Sequence, residues 1–160
     1  MKRIIIHWTG GRYSPNITDL EHYHFLIDGD GNVIRGKFKP EDNLDCSDNI
    51  YAAHTGGGNT GSVGVALCGM SGFKSKYNQG LFPITKKQCG VLFKLVSDLA
   101  LKYSIPISSN TVLTHYEFGL NHPSTTSFGK IDIIFLPPYP HIPPDKIGDF
   151  IRENCLLYQG

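Results

Sequence analysis

The stretch Arg3-Ile4-Ile5-Ile6-His7-Trp8-Thr9-Gly10-Gly11 decides the fold. Three consecutive isoleucines predict a strand covered on both faces, because β-branched side chains suit a pleated surface and the run leaves no polar face for solvent. The run then stops at a histidine and a glycine turn. Such a strand holds its last side chain rigidly at the rim of a sheet, where a catalytic metal ligand belongs. A hydrogen-bonded structural histidine is the plainer reading of His7 taken alone, so the rest of the chain must decide.

Outward from this strand, apolar runs alternate with turn signals. Residues 10–16 read as a loop rich in Gly, Pro and Ser. Tyr23 to Asp28 reads as a second strand, with Tyr23, Phe25 and Ile27 on one face and His24, Leu26 and Asp28 on the other. Gly29-Asp30-Gly31-Asn32 then turns the chain into Val33 to Gly36, an Asp-Gly hairpin signal. Residues 39–50 are polar and acidic, which predicts a surface loop. Residues 52–61 are too glycine-rich for regular structure and lead into a buried strand, Ser62 to Cys68. The glycines at 56–58 and 61 lack a following Gly-Lys-Ser/Thr and precede a strand, so they shape a groove and do not cradle phosphate.

The clearest helix spans about 85–103, with an apolar stripe at 91, 92, 95, 96, 99, 100 and 103 and a capping box between Thr85 and Gln88. Thr111 to Thr114 is a last short strand, and it too stops at a histidine, His115. The stretch 116–144 holds six of the ten prolines and reads as irregular. A C-terminal helix follows from about Asp145, with Ile147, Phe150 and Ile151 facing inward. This order predicts an α/β fold in which a single mixed central β-sheet is flanked by helices, with residues 1–160 as one domain.

Bulk properties narrow the function. A net charge of +1 with basic residues spread along 160 positions gives no electrostatic reason to expect nucleic acid or an anionic membrane. Cys46, Cys68, Cys89 and Cys155 form no CxxC pair, so buried thiols are expected at Cys68 and Cys89. Only three apolar residues stand between Arg3 and His7, so no signal peptide is expected, and no apolar run reaches the ~18 residues of a transmembrane helix. A monomer without membrane insertion is the expectation.

His7 and His115 each end an apolar strand, and neighbouring strands of one sheet bring such ends together. Two imidazoles need a third ligand to build a catalytic zinc site that keeps one position open. Glu117, His122 and Asp132 all lie downstream of His115, and spacing leaves the choice among them open. His22, His24 and His141 read as structural or surface residues.

His7-Trp8-Thr9-Gly10-Gly11, Tyr23 to Asp28 with Asp30-Gly31, His54, Ser62-Val63-Gly64-Val65, Thr114-His115-Tyr116-Glu117 and Gly129-Lys130-Ile131-Asp132 occur in the order found in zinc-dependent N-acetylmuramoyl-L-alanine amidases. From residue 3 to 132 the chain resembles this type-2 amidase superfamily, which includes phage lysozyme-type enzymes and the peptidoglycan recognition proteins. The resemblance implies zinc bound by His7, His115 and Asp132, the last standing two residues after a functional lysine. It implies a catalytic Tyr23, a transition-state-stabilising Lys130, and a substrate-binding His54 beside the stem peptide. Ala66 stands where a sister branch carries a catalytic glutamate, which together with Tyr23 favours the phage-type arrangement.

The implied reaction is hydrolysis of the amide between N-acetylmuramic acid and L-alanine in peptidoglycan or a muropeptide. The implied setting is an endolysin made in the cytoplasm without a signal peptide and acting on the wall after membrane breach. A non-catalytic peptidoglycan-binding module of the same fold is the alternative, although such members typically lose a ligand. A metallopeptidase acting within the stem peptide is a third reading.

Overall fold

The computed structural model describes residues 1–159. Five strands form one sheet: β1 (Arg3–Trp8), β2 (Phe25–Ile27), β3 (Val33–Arg35), β4 (Ser62–Leu67) and β5 (Val112–Thr114). Their spatial order is β3-β2-β4-β1-β5. β1 pairs in parallel with both β4 and β5, β2 pairs in parallel with β4, and only β3 runs antiparallel. β1 is therefore central, as its isoleucines require.

Four helices complete the fold: α1 (Ile17–His22), α2 (Lys86–Lys102), α3 (His115–Asn121) and α4 (Ile147–Leu157). The two faces of β1 do different work. Ile4, Ile6 and Trp8 join Val63, Val65 and Leu67 in the main core, where Leu92 and Val96 of α2 and Ile147 and Ile151 of α4 cover them. On the other face Ile5 packs with Leu113 and with Phe118 of α3. Leu26 and Ala66 pack beside it with Leu20 of α1 and Tyr23. His7 continues the Ile5 face and points toward α3.

The helix expected over 85–103 is present, with Thr85 as its N-cap and the Thr85–Gln88 capping box formed. Cys68, Cys89 and Cys155 are buried free thiols, and burial pushes each of them up to about 12.

Two expectations need correction. The stretch after His115 is not irregular from its start: α3 begins at His115 itself. Thr114-His115-Tyr116-Glu117 is a capping box, in which Thr114 Oγ1 accepts from the Glu117 N–H while a Glu117 oxygen accepts from the Thr114 N–H. The prolines downstream masked this signal. The strand expected from Tyr23 begins only at Phe25, because residues 17–22 fold as a short helix capped by Asn16 and Asp19. Tyr23 ends that helix and escapes the strand alternation. Its ring lies on the Leu26 side of the sheet, away from the core shared by Phe25 and Ile27.

Candidate metal centre

The C-terminal ends of β1 and β5 lie side by side in parallel register, Ile6 opposite Thr114. The next residue of each strand is a histidine, so the topology alone brings His7 and His115 together, with ring centroids 4.7 Å apart. Asp132 joins them because the Tyr116 N–H donates to the Asp132 carbonyl at 2.7 Å, fastening its segment to the start of α3. His7 Nδ1 lies 2.8 Å from Asp132 Oδ2, and His115 Nδ1 lies 3.1 Å from the same oxygen. Among the described residues, His7, His115 and Asp132 are the group whose ligand atoms all lie within 4.8 Å of one another.

The two other third-ligand candidates are turned elsewhere. Glu117 is bound by Arg152 through both carboxylate oxygens. His122 stacks on Phe118 at 4.1 Å and donates from Nδ1 to the Phe118 carbonyl.

The hydrogen-bond network assigns the tautomer of each ligand ring. Ser127 Oγ donates to the Gly56 carbonyl at 2.7 Å, so it accepts from His115 Nε2–H at 3.0 Å. Behind His7 stands His54, whose Nε2–H donates to the Ser62 carbonyl at 3.2 Å. His54 Nδ1 is then an acceptor; Thr55 Oγ1 lies 2.7 Å from it and His7 Nε2 lies 3.2 Å from it. His7 therefore carries its proton on Nε2. In both rings Nδ1 presents a lone pair toward the Asp132 carboxylate. Three lone-pair donors converge on one point, which a cation satisfies and a neutral partner does not. Bonds of this kind, made to the far nitrogen of each histidine, are what fixes ligand rings in metal sites. The donor set of two imidazoles and one carboxylate suits zinc.

Electrostatics agree. Burial brings His7 down to about 4 and pushes His54 well below the ordinary histidine range, so both rings are neutral near pH 7.

His115 and Asp132 line a polar cleft of about 390 Å³ whose walls include Thr9, Tyr23, Gly56, Thr126 and Lys130, and the fully buried His7 lies against both. Tyr23 sits over His7 with ring centroids 5.1 Å apart, and among the described residues its hydroxyl has no protein hydrogen-bond partner. Burial and the nearby Asp132 raise its pKa, so the phenol keeps its proton. Lys130 is exposed at the cleft wall. His54, expected beside the substrate, is among the residues that line this cleft, with its ring against His7 and 6% of the residue exposed. Gly64 makes room for it: a Cβ at residue 64 would lie 2.5 Å from His54 Cγ.

The N-acetylmuramoyl-L-alanine amidase (Amidase_2) family model matches residues 1–129. The chain belongs to this family. Residues 1–129 hold His7, Tyr23, His54 and His115 of this amidase; Lys130 and Asp132 follow immediately. Its fold is similar to that of the amidase LysC from Clostridium intestinale URNW, with 20% identity over 78% of this chain and 75% of that one and a TM-score of 0.50. It is equally similar to bumblebee PGRP-SA, with 20% identity over 79% of this chain and 75% of that one and the same TM-score. No curated protein matches it significantly.

The mixed five-stranded sheet flanked by helices is thus the amidase architecture, and the buried His7–His115–Asp132 cluster is the metal-binding geometry of a catalytic member. The ligand set is intact, which places the chain with the enzymes and apart from pure binding modules. Among the described residues no helix is long and apolar enough to cross a membrane. Sequence reading missed Thr55 and Ser127, because a hydroxyl that orients a histidine from a distant loop has no local signature.

Proposed function

We propose that this amidase uses zinc, held by His7, His115 and Asp132, to cut the bond between the lactyl group of N-acetylmuramic acid and L-alanine. The observation that carries this reading is the convergence of three lone-pair donors at the floor of a cleft that Tyr23 and Lys130 overlook. Zinc with three protein ligands supplies a Lewis acid and water acidic enough to attack an amide near neutral pH.

The remaining roles belong to the chain. Tyr23 keeps its phenol proton, so it donates a hydrogen bond toward the reacting centre and orients or relays a proton there. Lys130 brings a cation to the side of the cleft where the carbonyl oxygen gains charge, a contribution typically worth about 3–4 kcal/mol. His54 lines the cleft where the stem peptide would lie and also braces the His7 ring. Gly56, beside Thr126, keeps the wall low enough for a glycan or peptide to approach the backbone.

An endolysin is the setting this reading favours: a wall-cutting domain made in the cytoplasm and given access to peptidoglycan once the membrane is breached. The experiment is mass spectrometry of peptidoglycan digested with the purified protein, with and without a chelator. Stem peptides with a free N-terminal alanine, lost with chelator and restored by zinc, support the proposal. Chelator-sensitive cuts within the stem peptide would replace it with a metallopeptidase.

A further inference from the structure

We propose that Arg152 of α4, acting through Glu117, is a positioning residue for the ligand His115. This rests on the reading of His115 as a metal ligand.

His115 is the first residue of α3, so its placement depends on how that helix is started. Glu117 starts it, because one of its oxygens accepts from the Thr114 N–H at 3.0 Å. Arg152 fixes that carboxylate with a two-pronged grip, Nη1 to Oε1 and Nη2 to Oε2, both at 3.0 Å. Paired bonds of this kind set direction as well as distance.

The same guanidinium donates from Nη1 to the Val112 carbonyl at 3.0 Å, and from Nη2 to Asp149 at 2.8 Å. One side chain thus ties the strand before His115 to the helix turn after it. The Arg152 side chain is 9% exposed, so water competes weakly for these bonds. The backbone of α4 is shaped to the same end. A Cβ at Gly148 would collide with the Glu117 carboxylate, so the glycine admits it.

None of this resembles a surface ion pair. Exposed pairs such as Lys94–Asp98 contribute little and hold nothing in place. α4 lies beyond residues 1–129, so the clamp is a contribution of the C-terminal segment to the metal site.

The test uses the full chain and zinc alone as probe, with cobalt as a spectroscopic substitute. Arg152→Lys keeps the charge but loses the fork; Glu117→Gln keeps an acceptor for Thr114 but loses the ion pair. Each should raise the zinc dissociation constant on the order of 10-fold and shift the visible bands of the cobalt-loaded protein. The double variant should be no worse than the weaker-binding single. Ile151→Val, a buried change in the same helix without polar consequence, should lower the melting temperature and leave zinc binding and the cobalt spectrum unchanged. Lower melting temperatures in Arg152→Lys and Glu117→Gln with unaltered zinc affinity and cobalt bands would overturn the proposal, reducing the clamp to a fold-stabilising contact. Failure of the unaltered chain to bind zinc would instead overturn the metal reading on which the clamp depends.

Discussion

His7 Nδ1 and Asp132 Oδ2 stand 2.8 Å apart although 125 positions separate them in the chain. One comes from the end of the central strand and the other from a loop fastened to the start of α3. Ring tautomers on both histidines leave Asp132 facing two lone pairs, an arrangement that only a proton or a metal ion completes.

Asp132→Ala should therefore abolish zinc retention, and wall-cutting activity should fall with it. His122→Ala should keep both, since that ring is engaged with Phe118. Metal analysis of the two purified variants decides the point. Zinc retained in Asp132→Ala and lost in His122→Ala would reverse the ligand assignment.

Much of this was legible in the sequence because it depends on short-range pattern. Ile4 to Ile6 announce a strand buried on both faces, and His7 and His115 announce two strand ends. Residues such as Tyr23 were harder. Its position in an apolar run predicts a strand face, yet the Asn16–Asp19 cap turns residues 17–22 into a helix and frees the ring to lie over His7. His54 lines the cleft, as the resemblance implied, but the burial of its ring depends on Gly64 of β4, a contact that no local pattern encodes.

Tyr23→Phe and Lys130→Met should separate chemistry from metal binding. Neither side chain touches the ligand cluster through a hydrogen bond, so zinc affinity should be unchanged. Loss of a proton-relaying hydroxyl typically costs about 10²–10⁴ in rate. Loss of a charge that stabilises an oxyanion costs about 10²–10³ in kcat. Steady-state kinetics on a soluble muropeptide would show these as falls in kcat. A change confined to KM would recast either residue as a substrate-binding group.

Gly64→Ala tests the support behind His7. The added methyl meets the His54 ring at a distance no real Cβ tolerates, so the ring must move. Overpacking of this kind costs about 1–3 kcal/mol. Because His54 lies against His7 Nε2, zinc affinity should fall together with stability. Val65→Ala, a cavity-forming change on the opposite face of β4, should cost stability while leaving affinity nearly intact. Equal zinc binding in both variants would show that His54 does not orient His7.

Acid should weaken the metal-free fold as its buried histidines are forced to take up protons. Burial holds His7 and His24 at about 4, against 6.5 for an ordinary histidine. Below pH 6.5 the unfolded chain therefore takes up protons that the folded chain refuses, and unfolding gains ground as pH falls toward 4. Melting temperatures of the chelator-treated protein should thus be level above pH 7 and decline from 6.5 to 4. His24 is not in the ligand cluster. Its Nε2–H donates to Asn43 and its Nδ1 accepts from the Gly64 N–H, bonds that require the neutral ring. His24→Gln should therefore start less stable and show a shallower decline across this range. A melting temperature independent of pH between 6.5 and 4 would mean that these histidines take up protons as readily in the folded chain as in the unfolded one, and the neutral His7 ring assumed for the metal site would fall with it.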